Sequence, residues 1–119
     1  MRVKLKISII NDKEESFMGI GLVWLLRKIK ETGSISQAAK DMDMSYAKAH
    51  RIIKRLEKNI GAKILDTKTG GIDRGGALLT SFAEDFIDKF DEYQKKIKEY
   101  GEKEFLVFLR DIGDKMDDI

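Results

Sequence analysis

Apolar and polar residues alternate strictly from Val3 to Ile9, Val-Lys-Leu-Lys-Ile-Ser-Ile. This period of two predicts a half-buried strand with one face turned outward. The period lengthens once Gly19 and Gly21 are passed. Leu22, Leu25, Leu26 and Ile29 share one helical face, which predicts a first helix over residues 20–31, ended by Gly33. Ser34 to Ser36 offer caps for a short second helix over 37–42, and a third runs over 45–59 with Gly61 as its stop. Between 63 and 79 the pattern changes again. A short apolar run, Ile64-Leu65, is followed by Gly70-Gly71 and Gly75-Gly76 on either side of Ile72-Asp73-Arg74, which reads as a hairpin with a glycine-rich tip. Thr80 or Ser81 caps a long last helix, and Ser81 with Glu84 has the spacing of a capping box.

The order is strand, three helices, hairpin, long helix. It predicts a mainly α chain with a small β component, a winged helix-turn-helix with a long C-terminal dimerisation helix. We read two parts: residues 1–80 as the winged helix-turn-helix and 81–119 as a helical extension. No internal repeat and no long linker interrupts this order.

The helix-turn-helix reading rests on residues 36–56. Two helices that meet at a sharp turn need small side chains where their backbones approach, and Ala39 and Ala49 suit that contact. Asp43 stands in the turn, where a left-handed backbone is expected and Asp tolerates one. On a helical wheel, Ala49, Ile52, Ile53 and Leu56 gather on one side of the third helix. Ala47, His50, Arg51, Lys54 and Lys58 face the other way, with Tyr46, Lys48 and Arg55 at the edges. A recognition helix needs this division, its first residues, from Ser45 onward, reaching base edges and later cations meeting phosphates. An ordinary amphipathic helix with a lysine-rich exterior would show the same wheel. The alanine-rich helix before it and the basic hairpin after it favour DNA. The hairpin adds Lys63, Lys68 and Arg74, and an arginine at such a tip suits a minor groove. A nucleotide-phosphate cradle would need a Lys-Ser/Thr pair closing the glycine loop, and residues 70–76 hold none.

Charge sharpens this picture once it is divided. Residues 1–80 carry 16 Lys and Arg against 9 Asp and Glu, a net of +7, whereas 81–119 carry 7 against 12, a net of −5. A basic front and an acidic back fit a chain that meets nucleic acid with one part and something else with the other. There is no cysteine, so disulfides, thiolate metal sites and cysteine nucleophiles are excluded. The single histidine, His50, has no nucleophile or carboxylate pair beside it, and we read the chain as no enzyme and as holding no metal or cofactor. The charged start is no signal peptide, and no run approaches the roughly 20 apolar residues of a membrane span. A cytoplasmic protein is expected.

Four stretches resemble the N-terminal DNA-binding domain of the molybdate-responsive ModE-type regulators, relatives of the LysR-type DNA-binding domain. They are Gly33-Ser34-Ile35-Ser36-Gln37-Ala38-Ala39-Lys40, Met44-Ser45-Tyr46-Ala47-Lys48-Ala49, Lys68-Thr69-Gly70-Gly71 and Gly75-Gly76-Ala77-Leu78-Leu79-Thr80. The likeness spans roughly residues 1–100. It implies a dimeric regulator that binds operator DNA through the helix starting at Ser45 and through the glycine-rich wing. Sensing members of the family carry a further C-terminal oxyanion-binding domain. With the sequence ending at Ile119, molybdate sensing is not carried over and no small-molecule effector is expected.

In the long helix Phe82, Phe86, Phe90, Tyr93, Ile97 and Tyr100 recur at spacings of 4, 4, 3, 4 and 3, close to the roughly 3.5-residue seam of a coiled coil. We expect these six at a homodimer interface; packing on the chain's own first helix is the other use of such a stripe. The sequence therefore predicts a homodimer that binds double-stranded DNA and regulates transcription. The alternative is a protein-interaction module that keeps the scaffold without using its basic face on DNA.

Overall fold

A computed structural model describes residues 1–67 and 76–117. The chain divides into two compact units, one of Ile7–Ile87 and one of Met1–Lys6 with Asp88–Ile119. The tip of the expected hairpin, with Lys68 and Arg74, lies outside the described residues.

The Ile7–Ile87 unit opens with β1 (Ile9–Ile10) paired antiparallel to β2 (Ser16–Met18). This hairpin corrects the expected strand over residues 3–9. Side-chain exposure does alternate from Val3 to Ile10, but β2 reaches only Ile9 and Ile10. Alternation reports which face is covered; a strand also needs a hydrogen-bonded neighbour. Ahead of β1, the Ser8 and Ser16 hydroxyls meet across the hairpin.

Helix α1 (Ile20–Thr32) buries Leu22, Val23, Leu25, Leu26 and Ile29. Each is worth about 1.5–3 kcal/mol on burial, which outweighs the side-chain cap that Gly19 cannot provide, worth about 1 kcal/mol. Gly33 ends α1 in the left-handed region, φ 70°, its N–H on the Ile29 carbonyl. Next come α2 (Ile35–Asp41) and α3 (Tyr46–Ile60), then β3 (Leu65–Thr67) and β4 (Ala77–Leu79), paired antiparallel with Leu65 opposite Leu79. Gly76 bridges to Ser34, and the Ala77 N–H donates to the Gly33 carbonyl at 2.9 Å, so the wing base is fastened to the α1–α2 junction. Ile53, Leu56, Ile64 and Ala77 complete the core together with Ala83 and Ile87 of the last helix.

That helix, α4, runs unbroken over Ser81–Asp117. Its cap is Thr80: the hydroxyl accepts the Ala83 N–H at 3.1 Å and donates to the Lys63 carbonyl at 2.7 Å. The expected Ser81–Glu84 box is not formed. The register is one residue earlier, and the Glu84 carboxylate pairs instead with Lys30 at 2.9 Å. In the second unit the N-terminal segment lies along α4, with the Leu5 side chain over Gly101, where any Cβ would collide with it.

Candidate nucleic-acid interface

The junction of α2 and α3 is built by capping. Ser34 accepts the Gln37 N–H at 3.1 Å to start α2, and Ser45 accepts the Lys48 N–H at 3.1 Å to start α3. Between them Asp43 has φ 55°, the left-handed turn expected from its short polar side chain. The Met44 N–H closes the turn on the Ala39 carbonyl at 2.9 Å. Ala38, Ala39 and Ala49 are fully buried, so the two helices meet through methyl groups.

This packing fixes the outward face of α3. Tyr46, Ala47, Lys48, His50, Arg51, Lys54, Arg55 and Lys58 are all exposed, while Ala49, Ile53 and Leu56 are buried. Tyr46 and His50 stack one turn apart, ring centroids 5.9 Å apart, which stiffens the start of the face. Ser45 is also exposed, and its oxygen accepts the cap bond from Lys48, leaving its O–H and one lone pair for other partners. Lys54 pairs with Glu57 at 3.1 Å, so part of its charge is already offset.

Glu57 has a second task that the sequence did not announce. It accepts the Ile64 N–H at 2.9 Å and reaches the Leu65 N–H at 3.5 Å, joining α3 to the first wing strand. Burial works against its ionised form, yet these N–H bonds and the Lys54 ammonium prevail and hold its pKa below the ordinary value. Sequence reasoning also missed the turn of residues 11–15, which stands beside the second half of α3. Its signal was the polar run Asn11-Asp12-Lys13-Glu14-Glu15 between apolar neighbours.

Of the α4 stripe, Tyr93, Ile97, Tyr100 and Phe82 are exposed, and Phe82 and Phe86 stack at 5.9 Å. Phe90 departs from the expected interface. It is 5% exposed within the single chain and has little left to offer a partner. Farther along, Leu106, Phe108 and Ile112 are exposed. Among the described residues, no group of three or more His, Cys, Asp or Glu could hold a metal ion, and no helix is long and apolar enough to cross a membrane.

A helix-turn-helix followed by a two-stranded wing and a long helix is shared with solved regulator domains. The CbnR_DBD–DNA complex matches 76% of this chain and 98% of its own, at a TM-score of 0.58 and 19% identity. The BenM_DBD/benA site 1 DNA complex matches 81% and 97%, at 0.52 and 16%. These similarities establish the fold class, a winged helix-turn-helix of the LysR DNA-binding type. Residues 22–84 match the bacterial regulatory helix-turn-helix proteins of the LysR family, and the chain belongs to that family.

Among curated relatives, the chain is 38% identical over 69 residues to the transcriptional regulator ModE of Haemophilus influenzae, covering 58% of this chain and 27% of the relative. It is 37% identical over 67 residues to the DNA-binding transcriptional dual regulator ModE of Escherichia coli K12, covering 56% and 26%. It thus spans about a quarter of the length of these relatives. Both are regulators by name, in agreement with the reading of the chain as no enzyme.

Proposed function

We propose that the chain binds double-stranded DNA as a homodimer and regulates transcription, with α3 in the major groove. The observation that carries this is the outward face of α3: a capped start bearing Tyr46, Lys48 and His50, followed by Arg51, Arg55 and Lys58, all held exposed by a buried alanine junction. Residues at the start of such a helix reach base edges, and long cations farther along meet phosphates. The part of the chain over residues 1–80 supplies this surface, and 81–119 supplies dimerisation through the exposed apolar side chains of α4. The glycine-rich wing, residues 68–76, is assigned to the backbone or minor groove on its Lys68 and Arg74. The names of the ModE relatives and the DNA in the CbnR and BenM complexes support the same reading. A regulator of this kind works in the cytoplasm, beside the chromosome. An effector is no part of this reading.

Genome-wide mapping of binding sites, followed by a footprint on the best one, tests the proposal. A near-palindromic footprint with half-sites about one helical turn apart is expected of a dimer. On that site His50→Ala and Arg51→Ala should relax base preference, each by about 1–3 kcal/mol. Lys58→Ala should weaken all sequences alike. Absence of duplex binding even at low salt would sink the proposal and leave the protein-interaction module.

A further inference from the structure

Beside the recognition face lies a cleft of about 560 Å³ between the β1–β2 turn and the edge of α3 formed by Arg51, Arg55 and Lys58. The turn closes with its Glu14 N–H on the Asn11 carbonyl at 2.9 Å and places Glu14 at φ 63°. This is the three-residue hairpin geometry of a tight turn followed by one left-handed residue. Asn11 secures both the turn and its position. Its side-chain oxygen accepts the Lys13 N–H at 2.9 Å and the Glu15 N–H at 3.0 Å, and its amide donates to Asn59 at 2.9 Å. Asn59 in turn donates to the Arg55 carbonyl at 2.8 Å. The turn is therefore braced on the last turns of α3, with Lys13 exposed at its apex.

The charges around the cleft are unequal: five Lys and Arg line it, against the two carboxylates of Asp12 and Glu15. Lys54 has Glu57 and Glu15 accepts from Asn11, whereas Lys13, Arg51, Arg55 and Lys58 form no ion pair with any described residue. Arg55 and Lys58 stand at i and i+3, about 4.5 Å apart along the helix, one turn beyond Arg51. That spacing suits two successive phosphates of one strand at roughly 3.4 Å of axis each.

We propose that this cleft is a second DNA contact, in which Lys13 of the β1–β2 turn and the Arg55–Lys58 edge of α3 grip the sugar–phosphate strand bordering the major groove. The inference rests on the duplex-DNA reading and extends it: the N-terminal hairpin becomes part of the DNA-binding surface, opposite in chain order to the wing. Lys13 adds affinity without base preference, and Asn11 and Asn59 hold it in place.

The test is the salt dependence of binding to a random-sequence duplex, followed by fluorescence anisotropy with the full chain. Lys13→Ala should lower the slope of log affinity against log salt by about 0.9. The advantage of the unaltered chain should then shrink about three- to fourfold between about 50 and 200 mM salt. Lys13→Arg should restore the slope. Asn59→Ala, which keeps every charge, should reproduce part of the loss while circular dichroism stays unchanged. Arg51→Ala, scored on the mapped site against the random duplex, separates the two readings. If it relaxes base preference while Lys13→Ala leaves both affinity and slope intact, the second contact is overturned and the recognition helix stands. If the unaltered chain fails to bind duplex at all, both fall.

Discussion

The Glu57 carboxylate performs two tasks with one charge, offsetting Lys54 and accepting backbone N–H groups from the start of the wing. Because its pKa is lowered in the folded chain, its ionised form stabilises the fold above the unfolded value. That contribution is lost as the pH falls below the ordinary 4.5 and through the folded value. Glu57→Ala leaves the Ile64 N–H without its acceptor and should cost about 1–3 kcal/mol in urea unfolding. Glu57→Gln keeps an acceptor and should cost less, and its difference from the unaltered chain should close as the pH drops below 4.5. A gap that stayed constant in acid would show that the charge is not what matters. At this scale the sequence was legible where the reason is local. Asp43 takes the left-handed conformation that its short side chain allows. The Glu57 bond was not legible, because its partner, Ile64, lies beyond the Gly61 turn and only the fold brings it near.

Elements follow the same division. The three helices of the Ile7–Ile87 unit sit within two residues of the expected spans, since apolar spacing and the glycine stops at 33 and 61 act within each segment. The β1–β2 hairpin was invisible as such, because strands of two and three residues are too short to show a period. The start of α4 turned on a choice between adjacent hydroxyls, and Thr80 wins because it also reaches the Lys63 carbonyl across the wing base. Thr80→Ala should therefore cost about 1–2 kcal/mol. In a domain of this size that is a fall of roughly 4–8 °C in melting temperature for each kcal/mol. Ser81→Ala should be nearly neutral, and an equal loss from both would contradict the assignment of the cap.

For the whole molecule, the proposed dimer depends on α4. Tyr93 and Ile97 are 53% and 39% exposed, so they are better probes of it than Phe90. Replacing both with Glu adds charge where a partner helix would have to exclude water, and sedimentation should then report monomers that bind DNA weakly. A double variant that still sediments as a dimer would place the interface elsewhere. The stripe was legible as an apolar period along the sequence. Which of its members stay uncovered was not, because that depends on what else the chain lays against the helix.

Trp24, the one tryptophan in the chain, stands 58% exposed on α1 beside the buried row of that helix. Excitation of the unlabelled protein near the red edge of its absorption therefore reads a single indole that emits into water. Dilute protein should show a long-wavelength emission maximum and strong quenching by iodide. Any body that comes to cover this side of α1 has to move the maximum to shorter wavelength and shield it from the quencher. A blue, poorly quenched emission in the most dilute sample would mean that the indole is already covered there. An indole left largely in water thus makes the surface of α1 optically readable, with no dye attached.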